Sequence, residues 1–138
     1  MHQQTVLSHA DAMTVIRVIE QRAERDGRGL AVAVVDAHGE LLAFLRTDSC
    51  RLSSIQIAQN KAYTAAREQI DSKELGARSQ EEGFPMTNFG ELRFVSWGGG
   101  VPIVIDGQVV GAVGVSGLPE AEDIEYAQAG IAALQPDK

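Results

Sequence analysis

Gly98-Gly-Gly-Val-Pro-Ile-Val-Ile-Asp-Gly-Gln-Val-Val-Gly-Ala-Val-Gly-Val-Ser-Gly117 is the stretch on which the fold of this chain turns. Val101 to Ile105 form one apolar run and Val109 to Val115 another. Asp106-Gly107 between them is a strong signal for a tight turn, so the stretch reads as a β-hairpin. Gly111, Gly114 and Gly117 recur on the return strand. A strand gains nothing from glycine unless something must approach its backbone. Two readings follow: a helix packed tightly on the sheet, or a functional surface beside the hairpin.

Working outward, the segment before the hairpin, Glu91 to Trp97, alternates roughly as a further strand, with Leu92, Phe94 and Val95 apolar. Gln80 to Asn88 contains Gly83 and Pro85 and reads as irregular, a candidate lid. After the hairpin, Pro119 suits the first turn of a helix running to Leu134.

Toward the N-terminus, Leu30 to Val35 is a Val-rich run suited to a strand covered on both faces. Asp36-Ala-His-Gly39 turns the chain into a partner strand, Leu41 to Leu45. Ser8 to Arg25 reads as a helix, with Ser8 as N-cap and Asp11 suited to the first turn. Its stripe is Ala12, Val15, Ile16, Ile19 and Ala23. A second helix spans Leu52 to Ile70, with Ser53 or Ser54 capping it, and Ser72 to Ser79 is a short third. The inner stripe of the second helix is Ile55, Ala58, Ala62, Ala65 and Ala66, nearly all small, which suits the glycines of the hairpin.

The order is αββααβββα. Short hairpin connections imply one antiparallel sheet of about five strands flanked by helices, an α+β fold in a single domain over residues 1–138.

The chain has 138 residues, enough for a real core, and 44% of them are hydrophobic. Its net charge is −7. That argues against a nucleic-acid partner, whose phosphates demand clustered Lys and Arg. The apolar runs are strand-sized, so no membrane partner is expected. The start lacks the pattern of a signal peptide, and the single cysteine forms no internal disulfide; the expected compartment is the cytoplasm.

The three histidines are His2, His9 and His38, with no spaced pair and no Cys/His cluster, so no metal site is expected. A single axial histidine to haem leaves no spacing signature, and the sequence leaves it open. Lys61 shares a helix side with the alanine stripe. It either snorkels outward or projects into a pocket, where its ammonium would bind a carboxylate or serve as a base. Arg46 and Asp48 lie two apart at a strand end. They form either a local ion pair or an anion clamp with its orienting partner. Cys50 is either a nucleophile or an inert thiol. Backbone N–H groups around Gly98, Gly99 and Gly100, with Val101 and Ser116 beside them, are candidates for an oxyanion-type nest.

The ordered series Val34-Val-Asp-Ala-His-Gly39, Arg46-Thr-Asp48, Lys61-Ala-Tyr-Thr-Ala65, Gly99-Gly-Val-Pro-Ile103 and Gly111-Ala-Val-Gly-Val-Ser-Gly117, with Asp123 and Ala129-Gly130, resembles the GlcG/HbpS family over nearly the whole chain. The resemblance implies a profilin-like sheet flanked by helices and homo-oligomers built from dimers. It also implies a setting such as glycolate or diol utilisation, haem sensing, or attachment to corrinoid adenosyltransferases, with haem binding in several members. This chain departs from the family's Arg-Met-Asp-Gly-Ala at Arg46-Thr-Asp-Ser-Cys50, which marks an altered pocket, and reads Glu122-Asp-Ile124 where Gln-Asp-Glu is common.

The reading that leads is a cytoplasmic small-molecule-binding protein of a catabolic pathway, acting on a small anionic organic acid or carbonyl compound. A cofactor-free proton transfer, isomerase or lyase step would use Lys61 as cation or base, Arg46 as clamp and Asp48 as orienter. The alternatives are a haem-binding protein, with haem as the one cofactor in view, and a non-catalytic assembly partner of an enzyme. A homo-oligomer, at least a dimer, is expected in each case.

Overall fold

The computed structural model describes residues 1–134. Four strands form a single antiparallel sheet in the order β2-β1-β4-β3, with β1 Ala31–Asp36, β2 Leu41–Arg46, β3 Gly100–Ile105 and β4 Gln108–Ser116. Helices α1 (His9–Asp26) and α4 (Glu120–Ala132) cover one face, and α2 (Ser53–Glu68) covers the other. Helix α3 (Ser72–Glu82) packs against α2 and β3.

Strand alternation sorts the core. Val32, Val34, Val113 and Val115 point toward α1 and α4, where they meet Val15, Ile19 and Ala127. Ala33, Val35 and Ala112 point the other way, onto Ala62, Ala65 and Ala66 of α2. The α2 face is built from small residues, so the helix sits unusually close to the sheet. Gly114 and Gly100 pair across β4 and β3. A Cβ on Gly114 would run into the Ala58 carbonyl, and one on Gly100 into the Lys61 carbonyl. These two glycines seat the α2 backbone on the sheet and thereby place Lys61. Of the two readings of the glycines, tight helix packing is the one seen here, and it fixes the position of Lys61.

Ser8 caps α1 as expected, with Asp11 completing a reciprocal capping box. Helix α2 starts differently from expectation. Its N-cap is Leu52, without a side-chain hydrogen bond, and the Ser54 hydroxyl is turned to Ser116 instead.

The sheet has four strands, not five: the segment 91–97 is irregular. Its Phe94 packs on helical residues rather than in a ladder. Phe94 meets Tyr63 edge-on at 5.4 Å and stacks on Phe89 at 4.3 Å. Side chains satisfy its backbone. The Thr64 hydroxyl accepts the Val95 N–H at 3.0 Å, and the Ser72 hydroxyl donates to the Trp97 carbonyl at 2.7 Å. Leu92, whose alternation pointed to a core position, is 92% exposed. The expected lid is also partly regular: α3 runs through Glu82, and a 3-10 turn spans Met86–Phe89.

Candidate functional site

A cleft of about 860 Å³ opens where the N-terminal turns of α2 and α4 converge on the end of β4 and the Trp97-Gly98 segment. Its floor is charged. Lys61 Nζ donates to Asp123 Oδ2 at 3.0 Å and to the Val115 carbonyl at 2.9 Å, and both side chains are all but sealed from solvent. Asp123 lies in the first turn of α4, and its second oxygen accepts the Leu118 N–H at 3.1 Å. Burial pushes the Asp123 carboxyl up, against the pull of the Lys61 ammonium.

An ammonium has three N–H donors, and the two bonds above use two of them. The buried Ser54 and Ser116 hydroxyls also line the cleft, 3.1 Å apart. One of the two hydroxyls donates in that bond, which leaves the proton of the other to be offered. Arg51 stands at the rim, and two helix N-termini add positive potential. Trp97, Leu118 and Pro119 supply apolar wall. The arrangement is a donor-rich pocket suited to an anionic head group with a small apolar body.

Gly99 is required by this floor. Its φ is +123°, and a Cβ there would stand 2.9 Å from Lys61 Nζ. The expected nest is partly closed by the protein itself: Gly98 N–H donates to Glu120 at 2.9 Å and Gly100 N–H to Ser72 at 2.9 Å. Gly98 and Ser116 line the cleft; Gly99, Gly100 and Val101 lie behind it.

Arg46 and Asp48 are not brought to Lys61. They edge a separate cleft of about 440 Å³ between α1 and the end of β2, shared with Glu20, Glu24 and Arg28. Strand β2 ends at Arg46, and Thr47 after it is tied to Leu30, its hydroxyl accepting the Leu30 N–H at 2.9 Å. Cys50 is half-buried; its thiol donates to the Arg51 carbonyl, and burial pushes it up, which fits an inert thiol. Sequence reasoning missed Ser54, Arg51, Trp97 and Glu120 at the cleft, and did not assign Asp123 to it. The alanine stripe left Lys61 either outward or in a pocket; the structure buries it against Asp123, a partner the sequence reading did not name.

Haem iron is ordinarily held by His, Cys, Met or Tyr. Neither of the two larger clefts is lined by any of these. Tyr63 edges a third, small cleft, its ring covered by Arg67 and Arg93. His2, His9 and His38 are all exposed. Among the described residues, the lining of these three clefts does not fit a haem ligated inside one chain.

Comparison with known proteins agrees with the fold. Residues 7–132 match the family model described as haem degrading protein HbpS-like. The chain is 39% identical over 122 residues to protein GlcG of Escherichia coli strain K12, covering 84% of this chain and 85% of that one. It superposes on a double mutant of Streptomyces reticuli HbpS with a TM-score of 0.88, at 34% identity, over 99% of this chain and 92% of that one. A complex of PduOC with haem matches with a TM-score of 0.86, at 30% identity, over 94% of this chain and 95% of that one.

Proposed function

This chain belongs to the family of HbpS-like, haem-degrading proteins, and from that premise we propose that it binds a small carboxylate in the cleft between α2 and α4. The observation that carries this reading is the buried Lys61–Asp123 pair in the floor of a roomy cleft that Ser54, Ser116 and Arg51 also line. The ligand carboxylate takes the third N–H of Lys61 and the spare proton of the Ser54–Ser116 pair, with Arg51 closing over it from the rim. Trp97, Leu118 and Pro119 face its carbon skeleton. Arg46 and Asp48, in the other cleft, have no part in this site.

The same pair supplies proton chemistry. Burial biases Asp123 toward its neutral form, against the pull of the Lys61 ammonium. A carbonyl acid whose carboxylate sits on Lys61 places its neighbouring C–H or carbonyl near this couple. Proton transfer without a cofactor, as in an isomerase or lyase step, is the reaction class this arrangement serves. Calorimetry with acetate, lactate, pyruvate and succinate tests the binding. Saturable heat that is lost when Arg51→Met is introduced supports the reading; no heat with any of the four rejects it.

A second reading, haem binding, is favoured by the family description and by the haem complex of PduOC. Haem carries two carboxylates, which the same donors could hold. With only exposed imidazoles in this chain, we expect weak binding that desalting removes. A sharp Soret band that survives desalting and disappears in His38→Ala would establish the haem reading instead.

A further inference from the structure

The cleft already contains a carboxylate that is not part of the Lys61–Asp123 pair. Glu120, the first residue of α4, lines it beside Gly98. One of its oxygens accepts the Gly98 N–H at 2.9 Å; the other lies 3.4 Å from Lys73 Nζ of α3. The contact is close-fitting, since a Cβ on Gly98 would come within 2.9 Å of Glu120 Cγ and of Ile124 Cδ1. The Gly98 N–H, with Lys73 second, holds the Glu120 carboxyl below its usual range, so it stays ionised near neutrality.

A backbone N–H at the mouth of a donor-lined cleft is a seat for a ligand carboxylate, and here an internal carboxylate sits in it. Glu120 is 43% exposed at the side chain, and Lys73 is 62% exposed beside it. The side chain can therefore release the Gly98 N–H while keeping its contact with Lys73.

We infer that Glu120 is a resident competitor for the ligand: it occupies the Gly98 seat in the empty protein, gives it up while keeping Lys73 when a ligand carboxylate arrives, and so weakens binding by the strength of the contact it loses. This rests on the carboxylate reading above, and it adds the Gly98 N–H to the donors of the cleft open to a ligand carboxylate. Ligands without a carboxylate do not displace Glu120.

The test uses Glu120→Gln and Glu120→Ala in the full chain, with acetate and pyruvate as probes. The readouts are calorimetry and the amide resonance of Gly98. Glutamine keeps a weaker acceptor and alanine none, so affinity should rise in the order wild type, Gln, Ala, reaching about tenfold for Ala. The Gly98 amide resonance should move upfield in Glu120→Ala and return downfield as the probe saturates. Glu122→Gln removes the same charge from the same helical turn but away from the cleft, and should change affinity far less. If wild type binds and the Glu120 variants bind no tighter, or tighten only as much as Glu122→Gln, the competitor role is wrong while the carboxylate site stands. If they bind more weakly, Glu120 contacts the ligand and the proposal is overturned. If no variant binds either probe, the carboxylate reading fails and takes this inference with it.

Discussion

Lys61 Nζ and Asp123 Oδ2 lie 3.0 Å apart, on side chains 3% and 4% exposed, although the residues stand 62 positions apart in the chain. The pair joins α2, on one face of the sheet, to α4, on the other, at the end of β4. It is both a strut of the fold and the floor of the cleft, and these two roles separate under mutation.

Removing one member of a buried ion pair leaves an uncompensated charge, whereas replacing both with apolar groups can be neutral. Lys61→Met alone should therefore destabilise the protein by about 3–5 kcal/mol. The double variant Lys61→Met/Asp123→Leu should recover most of that loss. Urea denaturation of the three proteins measures it. A single variant as stable as the parent would mean the pair contributes no such coupling.

The segment 91–97 depends on α2 through Thr64. Thr64→Val preserves shape but leaves the Val95 N–H without its acceptor. An unsatisfied group of this kind costs about 1–3 kcal/mol. Hydrogen exchange should speed up at the Val95 amide first, with β1 and β4 unaffected at early times. Uniform acceleration across the sheet would contradict the local role.

Acid stability should come from carboxylates held below their ordinary range. Glu91 is held at about 2 chiefly by the Arg93 hydrogen bond, and Asp26 is lowered chiefly by the Tyr126 hydroxyl. A depressed folded-state pKa contributes stability that is complete above the unfolded value of 4.5 for Glu91 and is lost as pH falls toward 2. Thermal melts between these limits should fall less steeply for Glu91→Gln than for the parent. Identical slopes would remove Glu91 from the account.

Strands β2 and β3 are the sheet's edges, and each carries an exposed apolar residue, Leu41 at 51% and Val104 at 45%. Open apolar edges are ordinarily covered. Light scattering at micromolar protein should give at least twice the 14.8 kDa of one chain. A mass of one chain would show that these edges stand free.

Much of the fold is legible in the residues. The Asp106-Gly107 turn, the Val-rich runs and the helical stripes each report a local pattern that tertiary packing leaves intact. The strand expected at 91–97 fails because Phe94 packs on Tyr63 and Phe89, and because hydroxyls from Thr64 and Ser72 replace a neighbouring strand. That substitution has no local signature. Lys61 stands out because a charge among alanines needs a partner. Asp123 does not, since a carboxylate in a first helical turn has an ordinary explanation in the helix dipole. Arg46 and Asp48 mislead because their spacing presumes a strand that in fact ends at Arg46.

The central claim is that the Lys61–Asp123 floor holds a ligand carboxylate, and the measurement that tests it most directly is pyruvate binding by calorimetry to wild type and to the refolded-stable double variant Lys61→Met/Asp123→Leu. The account predicts saturable binding to wild type and at least about 30-fold weaker binding to a double variant of matched stability. Equal affinity of the two proteins would contradict it.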